Sequence, residues 1–257
     1  MFGSFKKCSF TSAIVVIVFI VVLSFSKSLS HLYFAFENLS GRHKIRNRVE
    51  LEELLNILSS AIGSLTNPTK LSATFKSMKQ KSISAGTIKN YIDYLCDSFL
   101  IDSAMRYDIK GKKYIDTPIK YYFTDMGLRN ARLNFRQLEE THAMENVIFN
   151  ELKLRGFNVD VGVIEINSTN EKGNRVRKQL EIDFVCNKGS KRYYIQSAYA
   201  MPDQAKMEQE QRSLMLTGDA FKKIIITKDS PGPYYNEDGV LVMNIFDFLL
   251  NENMLNY

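Results

Sequence analysis

Apolar residues at Leu51, Leu54, Leu55, Leu58 and Ile62 recur at the spacing of one helix face, which predicts an amphipathic helix over 48–63. Thr66-Asn67-Pro68 breaks it, and a short helix follows over 70–79. Ser84 stands as an N-cap for a third helix whose stripe is Ile88, Tyr91, Ile92, Leu95 and Phe99. The last two of these helices, joined by a short turn, read as a helix-turn-helix. After Ile101 the period drops to two, and SAMRYDIKGKKYIDTPIKYYFTD reads as two strands around Lys110-Gly111-Lys112-Lys113. Pro118 is tolerated in such a strand at a sheet edge. Three helices and then a hairpin predict a winged-helix domain over 41–136.

A second unit, 137–257, opens with a helix over 139–155 that turns Met144, Val147, Ile148 and Leu152 inward and stops at Gly156. A strand over 158–166, a polar and charged loop over 167–178 and a hairpin over 180–200 follow. Then come a charged helix over 203–216, a strand over 222–227, a turn at Pro231-Gly232-Pro233, a strand near 240–243 and an apolar helix over 245–250. Helices flanking a mixed sheet make this unit α/β.

Residues 1–40 differ from the rest. SFTSAIVVIVFIVVLSFS (9–26) is uncharged and about long enough to span a bilayer as a slightly short helix, a candidate anchor. A cleaved signal peptide is the rival, with 13–23 as its apolar heart but no A-x-A-like site after it. An accident of a truncated or rearranged gene is the third reading. Positive charge is heavier downstream (Lys27, Arg42, Lys44, Arg46, Arg48) than upstream (Lys6, Lys7), which predicts a cytoplasmic body tethered to the membrane through 9–26. The isolated cysteines Cys8, Cys96 and Cys186, with no C-x-x-C spacing, agree with reduced thiols. A net charge of +6 and a pI near 9.0 are compatible with a polyanionic partner without demanding one.

The chemistry concentrates in LEIDFVCNKGSKRYYIQSAYA (180–200). Strict alternation puts Leu180, Ile182, Phe184 and Cys186 on one face and Glu181, Asp183 and Val185 on the other, with Gln196 and Ala198 sharing a face on the partner strand. A metal-dependent phosphodiesterase takes a carboxylate from one strand, a carboxylate or amide two residues before a lysine on the next, and often a glutamate from a preceding helix. Hard oxygens hold Mg²⁺ and the lysine helps position the attacking water. Glu145, Asp183 and Gln196 fill the first three places, and Ala198 stands where the lysine belongs. Lys191 and Arg192 are the nearby substitutes for the lost cation. The competing structural readings are a hydrogen-bonded polar residue for Asp183 and a partly exposed helix carboxylate for Glu145.

These residues carry a resemblance. The helix glutamate in MENVIFNEL, the EIDFV strand, and YYIQSA after a short basic turn resemble the nuclease-like C-terminal domain of a bacterial and archaeal group of AAA-type ATPases, similar to the PD-(D/E)xK fold. GRHKIRNRVELEELL, RYDIKGKKYI and KYYFTDMGLRNARL extend the likeness from Gly41 to the C-terminus. The resemblance implies an ATPase domain, yet no G-x-x-x-x-G-K-[ST] occurs, so the chain itself carries no ATP site. The expectation is the C-terminal part of such an ATPase, its nuclease-like site degenerate at Gln196 and Ala198. It would act as a nucleic-acid-binding or protein-interaction module, with a residual nuclease and an inactive remnant as rivals. No cofactor is expected, Mg²⁺ entering only if the site is active.

For DNA the third helix would enter a major groove, with Ser82, Thr87, Lys89 and Asn90 near DNA and Lys110, Lys112 and Lys113 of the wing on phosphate, while Asp93 and Asp97 on the same helix oppose phosphate. A protein partner is the alternative use of such a unit. His31, His43 and His142 have no zinc spacing. Tyr121, Tyr122 and Phe123 read as sheet core, and Tyr234 and Tyr235 as loop.

Overall fold

The computed structural model describes residues 45, 47–79, 82–136, 139–169 and 173–257, so the N-terminal segment and the anchor reading lie outside the described residues. Among the described residues no helix is long and apolar enough to cross a membrane.

Helices α1 (Arg48–Ser60), α2 (Pro68–Lys79) and α3 (Ala85–Asp97) form where the apolar spacing places them. Asn47 caps α1 at the Glu50 N–H, and Ser84 caps α3 at the Thr87 N–H (3.0 Å). Their apolar faces meet in one core that holds Leu51, Leu55, Phe75, Ile88, Ile92 and Leu95. Phe99 departs from the expected stripe: α3 ends at Asp97, and a φ of 56° turns Phe99 into solvent.

The hairpin β1 (Ile101–Asp108) and β2 (Lys113–Phe123) is antiparallel as expected, but it is not a free wing. Arg106, Tyr107 and Asp108 of β1 pair in parallel with Val161, Gly162 and Val163 of β3 (Asn158–Thr169). The hairpin thus forms one edge of the sheet built by the second unit. Pro118 falls among residues 116–119, which β1 leaves unpaired, on the edge strand where proline is tolerated. A short helix the pattern missed, α4 (Met126–Arg132), follows with Asp125 as its cap.

The remaining elements are α5 (Glu140–Leu154), β4 (Arg175–Lys188), β5 (Lys191–Ala198), α6 (Gln204–Met215), β6 (Lys222–Thr227), β7 (Tyr234–Tyr235), β8 (Leu241–Asn244) and α7 (Ile245–Leu250). Together the strands make a mixed eight-stranded sheet in the order β2-β1-β3-β4-β5-β6-β8-β7. This is an α/β body. The core under α5 and α7 takes Ile148, Phe149, Phe184, Ile195, Ile226 and Phe248, while the opposite face packs Ile182, Val185, Tyr194, Ile225 and Leu214 of α6.

Two expectations fail here. The polar stretch 167–178 is not a loop throughout, because β3 runs to Thr169 and β4 starts at Arg175, forming a two-stranded arm. Backbone pairing overrides polarity in such a ribbon, where neither face need be apolar. Tyr234 and Tyr235 pair with Val242 and Leu241 as a short edge strand.

Candidate functional site

Strand β4 breaks its alternation at one place. Its register with β3 goes from Asp160↔Val185 to Gly162↔Ile182, so β4 holds two residues, Asp183 and Phe184, where β3 holds one. Such a bulge turns a side chain through the sheet. Ile182 and Val185 consequently share the α6 side and Phe184 and Cys186 the α5 side, which corrects the strict alternation expected from the sequence. Gly162 makes the bulge fit. A Cβ there would lie 2.9 Å from Ile182 Cβ, 2.9 Å from Val185 Cγ2 and 3.0 Å from Ile109 Cδ1.

The bulge places Asp183 toward α5, where Glu145 projects. Next to it Asn146 accepts from the Phe123 N–H (2.8 Å) and donates to the Phe123 carbonyl (2.7 Å), locking α5 to β2. Lys120 and Tyr122, two positions apart on β2, therefore both face Glu145. Lys120 Nζ donates to Glu145 Oε1 at 2.9 Å, and the Tyr122 hydroxyl donates to the same oxygen at 2.7 Å. Lys120 Nζ also lies 2.7 Å from Glu181 Oε1 and 3.8 Å from Asp183 Oδ1. Asp183 Oδ2 accepts the Ser197 N–H at 2.8 Å, just beyond the Phe184↔Ile195 pair where the β4–β5 ladder ends.

The loop after α1 closes this centre. Thr66 and Ile119 exchange two backbone hydrogen bonds of 2.8 Å, clamping that loop to β2. Gly63, at φ 71°, comes so near that a Cβ would lie 3.2 Å from Glu145 Oε2 and 3.1 Å from the His142 ring. Glu145, read from the sequence as a partly exposed carboxylate, is buried, as are Asp183 and Lys120.

Burial alone would lower the Lys120 ammonium's pKa, but Glu145, Asp183 and Glu181 override it and hold it above the ordinary lysine value. Asp183 is pushed up to about 8, by burial first and by Glu145 next, with Lys120 and the Ser197 N–H opposing. At neutral pH the centre therefore keeps its cation while Asp183 holds much of its proton.

Glu145 and Asp183 are thus brought together, but Gln196 is not. Tyr194 and Ala198 lie in the α6-side core and Ile195 under α5, so alternation puts Gln196 on the α6 side and Ser197 on the side of the centre. The bulge in β4 has no counterpart in β5, which is why Asp183 and Gln196 part. Gln196 Oε1 and Ser197 Oγ are buried without a hydrogen-bond partner. Neither expected substitute cation reaches the centre. Lys191 donates to Asn256, and Arg192 bonds Asn187 and stacks between Tyr107 and Phe221. The cation is Lys120, which sequence reasoning missed. A single lysine in the apolar run PIKYYF, two positions before a tyrosine, was the available signal.

A magnesium ion needs oxygens converging on one point at about 2.0–2.1 Å. Here the carboxylates converge on an ammonium, and among the described residues no three His, Cys, Asp or Glu are placed to hold a metal ion. With Lys120 in place the donor set does not fit Mg²⁺.

The expected DNA contacts are dispersed. Ser82 is exposed just before α3, Lys89, Asn90, Asp93 and Asp97 are exposed along it, and the Thr87 hydroxyl is engaged with Ser84 (2.9 Å). Lys110, Lys112 and Lys113 are exposed in the β1–β2 turn, at the far end of β1 from α3. No hydrogen bond or ion pair among the described residues links the two groups.

The model of a family described as a domain of unknown function (DUF8612) matches residues 37–139. An uncharacterised protein of Haemophilus influenzae is 32% identical over 216 residues, 83% of this chain and 49% of its own length. The uncharacterised protein MJ1544 of Methanocaldococcus jannaschii is 29% identical over 171 residues, 66% of this chain and 35% of its own. The chain thus spans half or less of the length of these curated relatives. Protein VC1899 of Vibrio cholerae, a solved structure, aligns over 81% of this chain and 56% of its own at 15% identity and a TM-score of 0.29, a likeness that carries no argument.

Proposed function

We propose that the chain combines a winged-helix unit with a nuclease-like α/β unit whose centre is closed, and that it grips nucleic acid without cutting it. The observation that carries this reading is the Lys120 ammonium, which sits among Glu145, Glu181 and Asp183 at 2.7 to 3.8 Å. A buried cation hydrogen-bonded to carboxylates takes the charge-balancing place of a metal but cannot accept a water as ligand or lower its pKa. Chemistry that needs a metal hydroxide has no starting point there. Kinship with AAA-type ATPases is part of the same proposal, supported by the order of the MENVIFNEL, EIDFV and YYIQSA motifs. A cytoplasmic location is proposed from the free thiols of Cys96 and Cys186.

The test incubates the full chain with duplex and single-stranded DNA and Mg²⁺ or Mn²⁺, with Asp183→Ala as control, and follows both binding and cleavage. Binding without cleavage is expected. Metal-dependent cutting that disappears in Asp183→Ala would overturn the reading in favour of a working nuclease. Absence of any binding would leave a protein partner as the use of the fold.

A further inference from the structure

Arg106 is buried at 8% exposure, yet among the described residues its guanidinium makes one hydrogen bond, from Nη2 to Gln179 Oε1 at 2.7 Å. Its Nε is buried without a partner, and among the described residues no carboxylate lies within ion-pair distance of it. A buried cation without a counter-ion is costly, and folded proteins seldom retain one that nothing neutralises. Arg106 therefore keeps donor capacity for an acceptor that the described residues do not supply.

Its surroundings show which acceptor fits. In the arm, Glu165 pairs with Gln179, Asn167 with Arg177 and Thr169 with Arg175, so Gln179, Arg177 and Arg175 alternate along one face of β4. The Arg106–Gln179 bond and the 3.9 Å approach of Arg177 to Glu165 put Arg106 and Arg177 on that face, and Glu181 continues it to Lys120. Successive members are about 7 Å apart, the rise of two strand residues. Arg175 and Arg177 are exposed, and Glu165 engages Arg177 only weakly at 81% and 48% side-chain exposure. Glu181 on the same face is held by Lys120, and Asp108, two positions from Arg106, accepts from the Gly111 N–H. β1 runs parallel to β3 with Asp108 beside Val163, so the turn with Lys110, Lys112 and Lys113 leaves the sheet at the arm's base. A row of cations on a projecting two-stranded ribbon suits a repeating polyanion, and a β-ribbon is one of the elements a major groove admits. α3, by contrast, exposes Asp93 and Asp97.

We propose that the α5-side face of the β3–β4 arm, through Arg106, Arg177 and Arg175, is a track for the phosphodiester backbone of duplex nucleic acid. The proposal rests on the nucleic-acid reading above and names the surface that does the gripping. Arg106 takes a phosphate oxygen at the base of the track, and Arg177 and Arg175 follow the backbone outward. The contacts are to phosphate, so affinity falls with salt and varies little with sequence.

The test measures fluorescence anisotropy of the full chain with a labelled duplex of arbitrary sequence across a salt series, repeated with a single strand. The double variant Arg175→Ala, Arg177→Ala is expected to weaken duplex binding about 10-fold or more and to flatten the salt slope by about 2, roughly one per lost phosphate contact. Arg106→Met is expected to weaken binding at least as much while Tm holds or rises, since the variant removes an uncompensated buried charge. A structural arginine would instead lower Tm. Wild-type binding that both variants retain would overturn the track and leave the nucleic-acid reading standing. Tighter binding of the single strand than the duplex would overturn the duplex assignment, and no binding by the wild type would overturn both.

Discussion

At the bulge of β4, Asp183 and Glu181 join Glu145 around Lys120, whereas toward the start of the same strand Arg177 and Arg175 stand in solvent, and Arg106 is buried with no carboxylate within ion-pair distance among the described residues. The first region supplies its own counter-cation, although its three carboxylates outnumber it, and the loop that holds Gly63 packs against Glu145. The second leaves cations unbalanced and faces outward. A carboxylate cluster that already holds a hydrogen-bonded cation has less to gain from a ligand than a buried cation with no counter-ion beside it. The contrast is what directs the proposed nucleic-acid contact to the arm rather than to the motif.

The largest effect that would break this comparison comes from Lys120→Ala. Removing one partner of a buried ionic cluster costs about 3–5 kcal/mol, because the remaining carboxylates stay buried and repel one another. For a chain of this size that lowers Tm by roughly 10 °C. Mn²⁺ is expected to restore part of the loss in the variant and to do nothing for the wild type, since only the variant offers carboxylates without a resident cation. Thermal melts with and without Mn²⁺ check this, and a variant that melts like the wild type would show that the ammonium does not hold the centre together.

Next in size is Gly162→Ala. The added methyl meets Ile182 Cβ and Val185 Cγ2 at 2.9 Å, and a β-carbon next to backbone cannot swing away, so the bulge must shift. Overpacking of this kind costs about 1–3 kcal/mol. Val185→Ala added to it should recover part of the loss, a coupling that separate melts of the single and double variants would read.

Much of the fold was legible because apolar spacing alone placed α1, α3, α5 and β6. Glu145 and Asp183 were legible as a pair because their motifs carry them. Three features were not. A bulge adds one residue without leaving a compositional mark, so the part it plays in separating Asp183 from Gln196 shows only in the register. Lys120 comes from the hairpin of the preceding unit, far from the motif in sequence, and only the Asn146 lock on Phe123 brings it in. The arm looked like a loop because both of its faces are largely polar, and the signal for a ribbon is then pairing rather than periodicity.

A smaller effect sharpens the electrostatics of the closed centre. Asp183 is raised above its unfolded value, so between about pH 4 and about pH 8 the folded chain holds a proton that the unfolded chain releases. Stability from this group is fully present below the unfolded pKa and is lost as pH rises through the folded one, while Lys120 stays charged throughout that window. Asp183→Asn imitates the protonated form at every pH and keeps an oxygen for the Ser197 N–H. Its Tm is expected to match the wild type near pH 4 and to exceed it by several degrees near pH 8, on the order of 1 kcal/mol or more. Parallel melts at the two pH values decide it. A variant less stable at both would mean that the carboxylate is wanted in its ionised form, as a metal ligand would be.

The smallest expected effect is on the arm, and its smallness is the point. Arg177 approaches Glu165 at 3.9 Å with both side chains well exposed, and exposed pairs of that kind contribute about 0–1 kcal/mol. Arg175 and Arg177 lie outside the apolar cores, so replacing both by alanine should leave stability within about 0.5 kcal/mol, a Tm change of roughly 2 °C or less. Side chains that contribute nothing to the fold and share a face with Arg106, which has no counter-ion among the described residues, are what the proposed phosphate track requires. If the double variant instead melts many degrees lower, the arginines belong to the fold's own balance of charge, and the two ends of β4 are alike rather than opposed.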